Sequence, residues 1–183
     1  AVVTIGQENG NFFSRLLFYP VDQEAPSAQI DLGGITVLDL DFEDGLLWVL
    51  GEDRLLTVTP DGQTVQTFSV SPGYLKGCSL EGDGFALLLT GEYRSGSATQ
   101  ALIIDQNAQA VQRLPLSNQV LDYAAAGDRF ALLSAGRLTL YNLELEQYAA
   151  LEDAQGARYL DLSPSGSALL ASDQQAWLFI PQV

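Results

Sequence analysis

The chain has 183 residues, of which 47% are hydrophobic, so it can bury one sizeable core. Its formal net charge of −15 comes from 23 acidic and 8 basic residues, and such a surface repels nucleic-acid phosphates and anionic membranes. No apolar run approaches the roughly 20 residues that a membrane-spanning helix needs. We therefore expect a soluble globular chain, outside the membrane, that does not bind nucleic acid.

The sequence begins with Ala1 and contains no Met, so we expect that something upstream has been removed: a signal peptide, an anchor or more of the domain. Cys78 is the single cysteine and cannot form an intrachain disulfide. The alternating sequence around it predicts a buried thiol on a strand. One thiol fits the cytoplasm and a bacterial cell surface equally well.

The N-terminal stretch predicts three strands. Its sequence, AVVTIGQENGNFFSRLLFYPVDQEAPSAQIDL, aligns by eye with ALLLTGEYRSGSATQALIIDQNAQAVQRLPL, which begins at Ala86. This alignment places Ala1 on the second strand of a repeated unit, so the first strand of that unit is missing. In both copies a polar segment that contains glycine joins the second and third strands, at residues 6–15 and 91–100.

The repeated unit is clearest at residues 37–70, VLDLDFEDGLLWVLGEDRLLTVTPDGQTVQTFSV. Four short apolar runs are separated by Asp-Gly, Glu-Asp and Pro-Asp-Gly, and these residues tolerate the positive φ of hairpin turns. Residues 74–116 and 120–152 repeat this order of strands, and residues 159–181 repeat its first three strands. We predict tight turns near Asp44-Gly45, Asp61-Gly62, Gly82 to Gly84, Gly127-Asp128 and Ser165-Gly166.

The repeats share one register, because a leucine precedes the polar residue of each first strand at positions 38, 75, 121 and 160. A period of about 40 residues with four strands per unit is typical of a β-propeller blade. We predict an all-β propeller of four-stranded antiparallel blades, with about 18 strands in five units and incomplete terminal units. A β-sandwich is the alternative. The chain would be a single propeller domain or a fragment of one, with units at 1–34, 35–73, 74–118, 119–157 and 158–183.

The stretch LSPSGSALLAS, residues 162–172, resembles the first hairpin of a WD-repeat or quinoprotein-type propeller blade. The chain departs from true WD repeats because it has no Trp-Asp ending and no Gly-His dipeptide, and it lacks the tryptophan ladder that accompanies a quinone cofactor. The resemblance implies a propeller used as a scaffold, in one of the uncharacterised membrane-anchored families of Gram-positive bacteria. It implies no activity. We expect an extracellular or cell-surface location, with the cytoplasm as the alternative.

Three aspartates, Asp39, Asp122 and Asp161, occupy one register in three first strands. First strands lie nearest the channel of a propeller, so one hypothesis is that these acids face the channel and converge on a cation. The alternative, which we favour, is that each carboxylate accepts backbone donors or contacts a neighbouring blade, with no metal site. Lys76 takes the same position in the remaining first strand, which favours an ion pair over a metal site.

The two polar segments suit exposed contact loops, because each carries aromatic and arginine side chains, the residue types that dominate recognition surfaces. The candidate contact residues are Phe12, Phe13, Arg15, Tyr93 and Arg94. A tolerated hairpin extension is the alternative interpretation.

Histidine is absent, which excludes Ser-His-Asp and Cys-His catalysis and His-ligated zinc within these residues. No phosphate-binding glycine loop is present either. We predict no catalytic residue and no cofactor. The leading hypothesis is a non-catalytic scaffold that binds a protein or a surface polymer. The alternative is a carboxylate-based carbohydrate-active enzyme or a lectin-like sugar binder.

The incomplete terminal units should leave open blade faces and unpaired edges, and both attract partners. We expect these outward faces to carry residues such as Val3, Ile5, Leu17, Trp177 and Phe179. The chain would then either associate with another copy through its open ends or belong to a larger propeller that extends beyond its N-terminus.

Overall fold

A computed structural model describes residues 1–154 and 156–182. Within these two ranges every regular element is a β-strand, and the eighteen strands form five antiparallel sheets. The described residues contain no helix long and apolar enough to cross a bilayer. In each sheet, strands that follow one another in sequence are hydrogen-bonded neighbours. The predictions of an all-β chain and of five units with three-stranded terminal units are confirmed.

Residues 1–72, together with residues 106–108, form one compact unit. It contains a three-stranded sheet and a four-stranded sheet, and residues from both share a core. The strands are β1 (Val2–Glu8), β2 (Asn11–Phe18), β3 (Ala28–Gly33), β4 (Val37–Glu43), β5 (Leu46–Gly51), β6 (Arg54–Val58) and β7 (Thr64–Ser69). The buried core residues are Leu16, Phe18, Leu32, Leu47, Val49, Leu56 and Val58.

The second compact unit comprises residues 73–105 and the chain from residue 109 to the last strand. It contains two four-stranded sheets and one three-stranded sheet. The strands are β8 (Tyr74–Gly82), β9 (Phe85–Gly91), β10 (Gln100–Asp105), β11 (Ala110–Pro115), β12 (Val120–Ala126), β13 (Arg129–Ser134), β14 (Gly136–Asn142), β15 (Gln147–Ala154), β16 (Tyr159–Leu162), β17 (Ala168–Ala171) and β18 (Ala176–Phe179).

The sheet β12–β15 is buried on both faces. Phe130 and Leu132 lie in a core shared with β8–β11, whereas Leu133, Leu138 and Leu140 lie in a core shared with β16–β18. Successive residues of a strand point to opposite faces, so a strand with two buried faces needs apolar residues throughout. This explains the continuous apolar run of β13.

The hairpins turn where the sequence predicts. Asp44 and Gly45 join β4 to β5 with φ values of 50° and 79°, the positive values that a two-residue hairpin turn requires. The other four predicted turns also fall between consecutive strands. These five turns lie in four of the five sheets of the described residues, all except β1–β3.

Residues 6–15 differ from the expected exposed loop, because they form most of the β1–β2 hairpin. The tight turn is at Asn9 and Gly10, with φ values of 51° and 84°, and Glu8 pairs with Asn11. An Asn-Gly pair is a strong hairpin signal, so the sequence contained this information. The corresponding segment of the third sheet is a loop as expected, because β9 ends at Gly91 and β10 begins at Gln100.

The outward face of the last sheet carries different residues from those expected. Trp177 and Phe179 pack against the core shared with β12–β15, and the pairing of Leu169 with Leu178 places both on the opposite face. That face includes Leu169 and Leu178, which are 45% and 59% exposed. Because β18 is apolar on both faces, alternation along the sequence does not reveal which face is buried. Val3, similarly, packs against the core of the first unit.

Candidate functional site

Three of the five candidate contact residues lie on β2. The Phe12 side chain is 69% exposed. Phe13 and Arg15 are two residues apart and therefore share the other face of the strand. The guanidinium carbon of Arg15 lies 4.4 Å from the centroid of the Phe13 ring, within the range of a cation–π contact.

The Phe13 ring packs against Gly6 of β1. Gly6 pairs with Phe13 across the hairpin, and a Cβ atom at Gly6 would lie only 2.3 Å from Cζ of the ring. The edge of the ring around Cζ therefore packs directly on the glycine backbone, and Arg15 lies over the ring. Glycine at this position is required for the close approach, and it fixes Phe13 before any partner arrives.

Asp31 completes this cluster, although the sequence analysis did not identify it. It pairs with Arg15 across β2 and β3, and its Oδ2 atom lies 3.9 Å from Nε of Arg15. That distance is too long for a hydrogen bond, and within the described ranges Nε is buried without a hydrogen-bond partner. A shallow cavity of about 200 Å³ adjoins these side chains. We call Phe12, Phe13, Arg15 and Asp31 the hairpin cluster.

Tyr93 and Arg94 lie in the loop between β9 and β10. Tyr93 is 66% exposed, and its ring centroid lies 4.8 Å from that of Tyr74. The guanidinium carbon of Arg94 lies 5.8 Å from the centroid of the Tyr93 ring. Lys76 donates a hydrogen bond from Nζ to the backbone carbonyl of Ser95, which ties the loop to β8. Tyr74 opens β8, and its contact with the loop has no signal in the sequence.

The five candidate residues thus form two groups in corresponding connections of the repeat. The hairpin cluster belongs to the first compact unit, and Tyr93 and Arg94 belong to the second. Each group combines exposed aromatic surface with an arginine, which is a combination typical of contact surfaces.

The three aspartates in first strands share one local contact. Oδ1 of Asp39, Asp122 and Asp161 accepts the backbone N–H of the following residue at 2.8, 3.0 and 2.9 Å respectively. Oδ2 of Asp122 also accepts the N–H of Leu160 on the neighbouring sheet, at 2.6 Å. In the part of the chain that the structure describes, no group of three or more acidic or cysteine residues is placed to hold a metal ion.

Neither tryptophan offers an exposed platform for a sugar ring. Trp48 is buried in β5, and Trp177 is partly buried against the core of the second unit. Cys78 lies on β8, but it is only half-buried, because the strand begins near the surface.

No protein-family model matches this sequence, and no curated protein is similar to it. Several solved structures are similar in fold. The crystal structure of BBS1N in complex with ARL6DN matches with a TM-score of 0.62 at 10% identity, over 97% of this chain and 60% of that one. The Pan2 WD40 domain of Neurospora crassa matches with a TM-score of 0.54 at 13% identity, over 97% of this chain and 59% of that one. Hsv2p of Kluyveromyces lactis matches with a TM-score of 0.60 at 15% identity, over 96% of this chain and 60% of that one.

The chain spans about three-fifths of the length of these structures. At such low identity the similarity concerns the fold alone. Together with five successive antiparallel meanders, it shows a β-propeller fold, similar to the folds of these structures.

Proposed function

We propose that this chain is a non-catalytic protein-interaction module whose main contact surface is the hairpin cluster. The observation that carries the proposal is the cation–π pair of Phe13 and Arg15 on one face of β2, together with the exposed Phe12 ring on the opposite face of the same strand. Exposed aromatic and arginine side chains supply most of the binding energy at protein interfaces when a partner covers them. A protein ligand accounts for both the apolar Phe12 and the charged Arg15.

The cluster is ordered in the free chain. Phe13 is fixed between Gly6 and Arg15, and all three contact residues stand on a hairpin with a two-residue turn. Binding therefore has less side-chain entropy to overcome than binding by a mobile loop. The Arg15 side chain is 36% exposed, and its guanidinium group can donate hydrogen bonds to a carbonyl or carboxylate of a partner.

The similar structures support this proposal at the level of the fold. One of them is a propeller bound to another protein, BBS1N with ARL6DN. A scaffold role requires no catalytic residue, and we propose none. Export to a bacterial cell surface stays a prediction, to be tested by fractionating cells that express the full gene product.

The three aspartates and the two tryptophans do not favour the carbohydrate-active alternative. Such a protein needs paired acids in an open cleft and exposed aromatic rings for the sugar. Asp39, Asp122 and Asp161 instead accept backbone hydrogen bonds. Both tryptophans lie in or against the core.

The proposal is tested by selecting peptides from a phage-displayed random library on the purified chain. Selected peptides are then titrated against the wild type, Phe12→Ser and Phe42→Ser. Phe42 is the matched control, since it is a 59% exposed phenylalanine on β4 of the same unit. We expect Phe12→Ser to weaken binding at least about tenfold, as for a residue that dominates an interface, and Phe42→Ser to have no effect. Equal affinities of all three proteins would contradict the proposal.

A further inference from the structure

A second cavity, of about 230 Å³, lies in the second compact unit beside the end of β11 and the sheet β12–β15. Its lining includes the buried residues Leu132 and Thr139, the partly buried Leu114 and Leu116, and the side chain of Arg137. The cavity therefore combines apolar side chains with polar ones, such as Ser134 and Gln147, and with the one positive charge of Arg137. None of these residues belongs to the hairpin cluster.

The strand register explains why these residues share a face. Leu132 pairs with Thr139, and Ser134 pairs with Arg137, so all four lie on the side of the sheet that packs towards β8–β11. The intervening residue Leu138 points into the opposite core. An arginine and a threonine thus stand on a face that packs against another sheet, where apolar residues are the norm.

The guanidinium group of Arg137 is only partly satisfied. Its Nη2 atom lies 3.3 Å from Oε1 of Gln147 and 3.2 Å from Oε1 of Glu152. Its Nε atom is buried and has no hydrogen-bond partner among residues 1–154 and 156–182. The edge formed by Nε and Nη2 is one that binds a carboxylate through two parallel hydrogen bonds, and here one half of it is unused.

In Arg54 both nitrogen atoms of the corresponding edge, Nε and Nη2, make hydrogen bonds. Arg54 and Arg137 each stand in the third strand of their sheet, immediately before a buried leucine. Arg54 binds both carboxylate oxygens of Asp53, with Nε and Nη2 each at 2.8 Å. Gly136 precedes Arg137 where Asp53 precedes Arg54. Arg137 therefore lacks the adjacent carboxylate that Arg54 binds.

The position two residues after the arginine is also more polar beside Arg137 than beside Arg54. Two residues after the arginine, the third strand carries Leu56 in the first unit, where it is part of the core, and Thr139 in the second unit, where it lines the cavity.

We propose that this cavity binds a small organic carboxylate. On binding, the Arg137 side chain turns so that its Nε atom, buried in the free chain, reaches the carboxylate together with Nη2, and a short apolar body lies against Leu114, Leu116 and Leu132. The single positive charge and the strongly acidic chain disfavour anions of higher charge.

Hexanoate is the probe, because it has one carboxylate and a short apolar chain. It is titrated into the ¹⁵N-labelled chain while the arginine Nε–Hε signals are followed by NMR. We expect the Arg137 signal to shift and saturate and the Arg54 signal to stay in place. Hexanamide lacks the charge and acetate lacks the apolar body, so each should bind at least about tenfold more weakly.

Variants assign the effect to the site. Arg137→Gln should weaken hexanoate binding about tenfold or more, because a hydrogen-bonded charge is lost, and the matched variant Arg54→Gln should leave it unchanged. Glu152→Gln should strengthen binding, since it removes the carboxylate that competes for Nη2. This last variant decides the question even if Arg137→Gln does not fold.

The proposal is overturned if the Arg137 signal does not move, or if hexanamide or acetate binds as tightly as hexanoate. It is also overturned if folded Arg137→Gln retains wild-type affinity, or if Glu152→Gln has no effect. Because the site shares no residue with the hairpin cluster, these outcomes are independent of the proposed peptide binding.

Discussion

Asp122 links two sheets of the second unit: its Oδ2 atom accepts the backbone N–H of Leu160 at 2.6 Å. Its Oδ1 atom accepts the N–H of the next residue on its own strand. Asp161 makes the corresponding contact on its own strand. One carboxylate therefore shapes β12 and positions β16.

Replacing Asp122 by alanine should lower the free energy of unfolding by about 1.5–3 kcal/mol, because the Leu160 N–H loses a charged acceptor. Asp161→Ala should cost clearly less, since it removes only a local contact between neighbouring residues of β16. Urea denaturation of the three proteins measures the difference. Equal losses for both variants would mean that the contact between sheets contributes nothing. Tight calcium binding in calorimetry that disappears in the variants would show that these acids hold an ion instead.

Gly77 lies under the Tyr123 side chain, whose hydroxyl oxygen accepts the Cys78 N–H at 2.9 Å. A Cβ atom at Gly77 would lie 2.5 Å from that hydroxyl oxygen. Gly77→Ala should therefore displace the ring and destabilise the chain by about 1–3 kcal/mol, as overpacking does. Gly96→Ala is the control, because a Cβ there meets nothing within 4 Å. Thermal melts that do not distinguish the two variants would be inconsistent with this contact.

Asp53 gives the chain a defined acid sensitivity. The side-chain hydrogen bond from Arg54 lowers the pKa of Asp53 below its ordinary value, an effect that burial partly opposes. A lowered pKa in the folded state adds stability above the unfolded pKa of about 4, and this stability is lost as pH falls through the folded pKa. Arg54→Gln should therefore lose less stability than the wild type on acidification. Parallel stability curves for the two proteins below about pH 4 would refute this.

The outward face of the last sheet predicts self-association. Tyr159, Leu169 and Leu178 are 61%, 45% and 59% exposed, and Leu169 and Leu178 pair on neighbouring strands. Covering this apolar surface with a second copy removes it from water at roughly 25 cal/mol for each Å². Light scattering should show a species larger than 19.7 kDa, and replacing both leucines by serine should return the monomer. A wild-type chain that stays a compact monomer would contradict the predicted self-association.

Much of the fold follows from local chemistry and is therefore predictable from the sequence. Turn pairs such as Asp44-Gly45 and the period of about 40 residues define the strands and the five sheets. The face that each strand buries is harder to predict. Trp177 was assigned to the wrong face because β18 is apolar at every position, and only its pairing with Leu170 decides the orientation.

The candidate site was predictable only in part. Phe12, Phe13 and Arg15 are conspicuous as residue types, but their partner Asp31 is 16 positions from Arg15 and meets it through the register of β2 and β3. That register includes a bulge between Ser14 and Arg15, which no sequence pattern reveals. The importance of Arg137 depends likewise on a cavity formed at the boundary of two sheets.

The central claim is that the hairpin cluster is the surface that binds protein. Its most direct test is to map a selected peptide onto the ¹⁵N-labelled chain by NMR chemical-shift changes. The account predicts the largest shifts at residues 6–15 and at Asp31, and their loss when Gly6→Ala displaces the Phe13 ring. Shifts concentrated elsewhere and unaffected by Gly6→Ala would contradict it.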